Sequence, residues 1–304
     1  MHVQVARVLY YFEVHLLYAT MVGLAAWALT SIRLGSATTK YWIWVATALN
    51  FIAPLGAILD KLGMKYLSWA TPLNVMGELG FRIAQNVPVA TMIGTVWLLG
   101  ASLMSARLWL RLRAEGSGVR ADRTPGFLVH GMPVRFQASG RGPAVDGVLR
   151  PQISLPTGIE RVLSERELNA VILHELTHAR RRDNLIRLVY ELVLSVLWFH
   201  PLVWVAGSQL SLYRELSCDE SVIQRAQGRE LVSALAKLAA PREPLLLQAT
   251  ASSFISHRLA RLAARPQRLS RVGSALLIAA FGAALTGGVL GTVAHTACCF
   301  VARN

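Results

Sequence analysis

The sequence predicts an α-helical membrane protein with an inserted α+β domain, and three observations predict it. Hydrophobic residues make up 54% of the chain and charged residues only 16%, which is too apolar for an ordinary soluble domain of this length. Segments 14–32, 41–59, 87–106 and 272–294 are nearly free of charge, and each has the roughly twenty residues that cross a bilayer core. Between the third and the fourth the chain changes character, becoming rich in Arg, Gly and Pro before it turns to short β patterns and an amphipathic helix.

The domains expected are therefore three N-terminal transmembrane helices in 1–106, an inserted domain in 107–271, and a final span with a short tail in 272–304. No basic run opens the first apolar segment and no small-residue cleavage pattern ends it, so it is expected to remain as a helix rather than leave as a signal peptide. Lysine and arginine placement sets the orientation. Segments 33–40, 107–187 and 214–271 hold 26 of the 31 basic residues, leaving Arg7, Lys61, Lys65, Arg82 and Arg303 elsewhere. The positive-inside rule then puts the amino terminus outside, the inserted domain in the cytoplasm and the carboxyl terminus outside a bacterial-type inner membrane.

Within the inserted domain, Phe127-Leu128-Val129, Val134-Arg135-Phe136 and the stretch 147–156 read as short strands separated by turn residues. The segment 147–155 is the candidate edge strand against which an extended peptide would pair, and a strand packed inside the sheet is equally consistent. Ser164 followed by Glu167 forms a capping box that starts a helix, and Leu168, Val171 and Ile172 give that helix an apolar stripe.

That helix carries His174-Glu175-Leu176-Thr177-His178. Two histidines four apart present both imidazoles on one helical face, which suits Zn²⁺, and a glutamate beside the first ligand can take the proton from a zinc-bound water. His174 and His178 are thus the first two candidate ligands, for one zinc per chain, and Glu175 the candidate catalytic base. The residues Ala179-Arg180-Arg181-Arg182-Asp183 follow, so the third ligand does not come from a histidine-ended extension. Downstream, Glu215 and Asp219 lie four apart on a helical face. Glu215 is the candidate third ligand, and Asp219 would accept the spare ring N–H of one ligating histidine, fixing its tautomer. Asp183 is a rival, read rather as a helix cap or a partner of the arginines around it; His200 is another, read rather as a buried histidine at a helix break. His200, Tyr213 and His257 are the candidate donors to a reaction oxyanion, and the sequence does not choose among them. The arrangement describes a zincin-like, gluzincin metalloprotease domain.

A fifth apolar stretch, 185–206, would pass for another span by hydropathy. A single crossing there would separate Glu215 from the two histidines, so it must cross an even number of times or not at all. It contains Arg187, Glu191 and, near its middle, Pro201, which together predict two short helices in a buried or re-entrant hairpin.

His174 to His178 with Arg182-Asp183-Asn184-Leu185, then Trp198-Phe199-His200-Pro201-Leu202-Val203-Trp204, then Arg214-Glu215-Leu216-Ser217-Cys218-Asp219-Glu220, resemble in that order the BlaR/MecR family of integral-membrane zinc metallopeptidases. The glycine-to-proline stretch 147–156 is similar to the strand that precedes that family's metal helix. The resemblance implies zinc ligation by His174, His178 and Glu215, Glu175 as acid/base, and endoproteolysis in signal transduction. Its expected substrate is a protein or peptide such as a cytoplasmic transcriptional repressor, or the chain itself. Only 295–304 follow the last span, so the external penicillin-binding sensor of that family's antibiotic receptors is expected to be missing, and a separate sensor protein joins the expected partners.

Further partners follow from local signals. Arg258, Arg261, Arg265, Arg268 and Arg271 immediately precede a span, which assigns them to anionic lipid rather than nucleic acid. Gly287 and Gly291 form a GxxxG within it, a helix-association signal consistent with a homodimer. Two other functions remain open at this stage: a quality-control membrane protease of the HtpX type, and a non-catalytic zinc scaffold for signalling.

Overall fold

The computed structural model describes residues 2–31, 35–52, 82, 85–120, 126–137, 142–225 and 227–238. The expected fourth span 272–294, His257 and the pair Cys298 and Cys299 lie outside the described residues. Helices α1 (His2–Ser31), α2 (Ala37–Ile52) and α3 (Val87–Arg120) precede four strands, β1 (Phe127–Val129), β2 (Met132–Gln137), β3 (Ala144–Asp146) and β4 (Gln152–Pro156). After a short 3₁₀ turn come α4 (Glu165–Arg181), α5 (Asp183–Val196), α6 (Pro201–Ile223) and α7 (Gly228–Leu238).

Among the described residues, one helix is long and apolar enough to cross a membrane: Val87–Ala114, within α3, which runs beyond the end expected at 106. The apolar part of α1 is the shorter Ala19–Ser31, and the described part of the second expected span is the 16-residue α2. Helix α2 is not apolar on every side. Lys40, Thr47 and Asn50 are buried along it together with Tyr41, Trp44 and Phe51, and the helix packs chiefly against α6. Lys40 Nζ is satisfied by donating to Thr30 O at 2.7 Å, as a buried ammonium requires.

The sheet order is β1-β2-β4-β3, with β2 and β4 parallel and the outer pairs antiparallel. This favours the interior of the two readings of 147–155. Strand β4 is an interior strand, and residues 147–150 form a turn rather than the start of it. Gly147 takes a φ of 83° there, a left-handed conformation that glycine adopts without strain, and Leu149 faces solvent. The edges are β1 and β3, and β3, next to β4, is tied to the start of α5 by Asn184 Nδ2, which donates to Val145 O at 2.8 Å and Gly147 O at 3.1 Å.

Helix α4 begins where the capping box predicts. Ser164 Oγ accepts from Glu167 N and Glu167 Oε2 accepts from Ser164 N. Its apolar stripe, Ala170, Val171, Ile172 and Leu176, joins Val134, Ile153 and Leu155 of the sheet and Leu231 and Ala234 of α7 in one core. A second core joins α1, α2 and α6 through Val22, Trp44, Leu210 and Leu216. Helix α6 belongs to both, because its last turns contribute Val222 to the sheet-side core.

The 185–206 stretch is broken at Pro201, as its sequence predicts, but the two limbs are not both short. Proline opens α6 at its first turn, where a missing N–H costs nothing, and α6 then runs unbroken for 23 residues through Glu215.

Candidate metal centre

Two helices build the centre. On α4, His174 and His178 are one turn apart and nearly buried, with their Nε2 atoms 3.1 Å from each other. On α6, Glu215 turns its carboxylate toward both. Its Oε2 lies 3.6 Å from His174 Nε2 and 3.7 Å from His178 Nε2. The other oxygen, Oε1, accepts from Arg214 Nε at 3.1 Å and Nη2 at 2.9 Å. Two imidazoles and a carboxylate brought together make a three-ligand donor set that fits Zn²⁺.

Each histidine has an acid behind it. His178 Nδ1–H donates to Asp183 Oδ2 at 2.6 Å, which leaves the lone pair of the neutral ring on Nε2, facing Glu215. His174 Nδ1 lies 3.1 Å from Asp219 Oδ1, within ion-pair reach though off-line for a hydrogen bond. Asp219 therefore stands beside His174, a choice the sequence leaves open. Asp183 meets His178 on the side away from Glu215.

Asp183 is also the centre of a network whose arginine pairing the sequence suggests and whose remaining partners it does not. Arg181 forks onto it, Nε to Oδ1 and Nη2 to Oδ2, both at 2.6 Å. Tyr41 Oη donates to Oδ1 at 2.7 Å. The guanidinium of Arg181 lies 3.9 Å over the Tyr41 ring and donates to Ser217 Oγ at 2.5 Å and Cys218 Sγ at 3.2 Å. Cys218 is fully buried beside His178 and Asp183. Burial opposes the charge on Asp183, but His178 and Arg181 outweigh it and hold the carboxyl below its usual range. In the same way, burial pulls His174 and His178 down while the facing carboxylates pull harder. Asp219 and Glu215 raise His174 to about 9, and Asp183 leads the groups that raise His178 well above its ordinary value. Glu215, opposed by burial and favoured by both histidines, is held well below the carboxylate range.

Glu175 occupies the helical position between the histidines, is 9% exposed, and its carboxylate has no hydrogen-bond partner among the described residues. Of the candidate oxyanion donors, neither described one is brought to the cluster. His200 lies at the start of α6, its Nε2 3.0 Å from Thr20 Oγ1 and its ring on Phe51, about 22 Å along the helix from Glu215 at 1.5 Å per residue. Tyr213 turns toward α1 and donates to Thr30 O at 3.1 Å. The residues around the centre that sequence reasoning left out are Tyr41 and Arg214, while Arg181 is anticipated only as one of the arginines around Asp183. Of the two left out, Arg214 carries a usable signal, its position next to Glu215.

The family model for the BlaR1 peptidase M56 matches residues 12–262. The chain is 40% identical over 84 residues to Regulatory protein BlaR1 of Bacillus licheniformis, a stretch that covers 28% of this chain and 14% of that protein. It is 26% identical over 91 residues to the Methicillin resistance mecR1 protein of Staphylococcus aureus, 30% of this chain and 16% of that protein. The matched stretch thus spans a small part of either relative's length.

Proposed function

The chain belongs to the BlaR1 peptidase M56 family, and from that membership we propose that it is a membrane-embedded zinc-dependent endopeptidase that cleaves a protein substrate in signal transduction. The observation that carries the reading is the convergence of His174 Nε2, His178 Nε2 and Glu215 Oε2 within 3.7 Å of one another, with Glu175 on the same helix.

In this reading His174, His178 and Glu215 hold the ion, and a bound Zn²⁺ supplies the Lewis acidity that amide hydrolysis requires. Asp183 and Asp219 hold the two imidazoles with Nε2 forward. Arg214, by engaging Oε1 of Glu215, keeps Oε2 turned to the histidines. Glu175 takes a proton from the attacking water and returns it to the departing amine, the work of a general acid/base whose carboxylate is not tied up by a partner. Strand β3, the sheet edge that packs against α4, is where an extended substrate would align its backbone. The domain plan of three N-terminal helices, a cytoplasmic metal domain over 107–271 and a final span is retained as part of the proposal. So is a regulatory protein, such as a repressor, as the substrate, which the relatives' names, a regulatory protein and a resistance protein, support.

The test is Glu175→Gln in the full chain. The amide keeps the size of the side chain and removes the base, so zinc content stays at the wild-type level while cleavage falls by about 10²–10⁴-fold. Fragments that disappear from cells expressing the variant identify the substrate. An unchanged fragment pattern with zinc bound in both proteins removes Glu175 from the mechanism.

A further inference from the structure

We propose that Tyr41 is a positioning residue for the metal centre, through which helix α2 holds the ligand His178 by way of Asp183. The inference rests on the ligand assignment above. Tyr41 is completely buried, on a helix that contributes no ligand, and a buried phenol needs an acceptor. Its acceptor is the carboxylate that fixes His178.

That carboxylate has no spare capacity. Oδ1 accepts from Tyr41 Oη and Arg181 Nε, and Oδ2 accepts from His178 Nδ1 and Arg181 Nη2, all at 2.6–2.7 Å. Four donors on two oxygens leave one orientation of the group. Without the tyrosine hydroxyl, Oδ1 keeps only the arginine, and the carboxylate is free to tilt about its bond to the chain. The Tyr41 ring also forms the shelf beneath the Arg181 guanidinium, so the tyrosine supports both the acid and the cation that clamps it. Asp183 is held tightly enough that His178 can vary little in angle, and a ligand's angle sets its affinity for the ion.

The same two turns of α2 reach the other histidine's support. Thr38 N and Oγ1 both donate to Glu220 Oε2 at 3.2 Å, and Glu220 is the neighbour of Asp219, which faces His174. The seating of α2 and the filling of the metal site are thereby linked, and the linkage is reciprocal: an ion that fixes the histidines also fixes α2, and a displacement of α2 loosens the ion.

The experiment uses the full chain in detergent or nanodiscs. Zinc affinity is measured by chelator competition, and ligand geometry by the visible spectrum of the Co²⁺-substituted protein, for the wild type, Tyr41→Phe and Thr47→Val. Phenylalanine keeps the shelf and removes the hydroxyl. Thr47 is equally buried on α2 and donates only to Ile43 O, so its loss controls for any general weakening of the helix. Tyr41→Phe binds zinc about 10–100-fold more weakly with a shifted Co²⁺ spectrum, whereas Thr47→Val matches the wild type. Wild-type affinity and spectrum in Tyr41→Phe overturn the positioning role and leave the ligands standing, while a wild type that binds no zinc overturns the ligand assignment itself. A second measurement needs no variant: hydrogen exchange in residues 37–45 slows on zinc loading of the wild type and is unchanged in 88–104. If 37–45 exchanges at the same rate with and without zinc, the link through α2 is refuted, and this result decides the matter should Tyr41→Phe not fold.

Discussion

At the scale of residues, the centre stores positive charge when it has no ion. His174 is raised from 6.5 to about 9 and His178 well above 6.5, burial being outweighed by Asp219, Glu215 and Asp183. Groups whose folded-state pKa lies above the unfolded value stabilise the fold fully below the unfolded value, about 6.5, and cease to do so as pH rises through the folded one. The metal-free protein therefore loses thermal stability between pH 6.5 and about 9. Zinc acts in the opposite sense, since each histidine must lose its proton to bind, so apparent zinc affinity rises over the same interval. Melting curves of chelator-treated and zinc-loaded protein at a series of pH values check both trends. A metal-free melting temperature that climbs between pH 6.5 and 9 would contradict the assignment of the carboxylates as partners of the histidines.

At the scale of elements, α4 separates folding from chemistry along its length. Its cap at Ser164 lies ten residues before His174, about 15 Å away at 1.5 Å per residue. Glu167 extends the cap by accepting from Ser233 Oγ at 2.5 Å and Lys237 Nζ at 2.7 Å on α7. Ser164→Ala is expected to cost about 1 kcal/mol of stability and to leave zinc affinity unchanged, measured by denaturant unfolding and chelator competition. A loss of affinity along with stability would show that the start of the helix and the ligands are one unit. This cap was legible in the sequence because it is local: a serine and a glutamate three residues apart satisfy each other wherever the helix packs. The histidine pair was legible for the same reason, and Pro201 marked the start of α6. Strand β3 was not, because Ala144-Val145-Asp146 has too few residues for an alternating pattern and owes its place to pairing with β4. Tyr41 was hidden by distance, since 142 residues separate it from Asp183 and nothing in an apolar helix marks which hydroxyl will meet a carboxylate. His200 and Tyr213 show the converse. Residue type made them candidates for the oxyanion, and packing turned them elsewhere.

At the scale of the whole molecule, the meeting of α4 and α6 constrains how the chain can lie in a membrane. His174 and His178 precede the apolar stretch 185–206 and Glu215 follows it, yet their donor atoms lie within 3.7 Å of one another, so the intervening chain returns to the side it left. Helix α3, with Val87–Ala114 long and apolar enough to cross, has the exposed Asn86 before it, whereas Glu160 and Gln224 are exposed near the start of α4 and the end of α6. If α3 spans the bilayer, Asn86 lies on one side and both Glu160 and Gln224 on the other, and the excess of arginine after α3 predicts that the other side is the cytoplasm. Single cysteines at these three positions, with Cys298 and Cys299 replaced by serine and the buried Cys218 kept, report this directly. Asn86→Cys is expected to react with a membrane-impermeant maleimide in cells whose inner membrane is intact. Glu160→Cys and Gln224→Cys react only after that membrane is opened. Reaction of Glu160→Cys and Gln224→Cys from opposite sides would be incompatible with a shared ion. Reaction of all three from one side would make α3 a helix that lies against the membrane rather than through it, and the cytoplasmic placement of the metal centre would lose its argument.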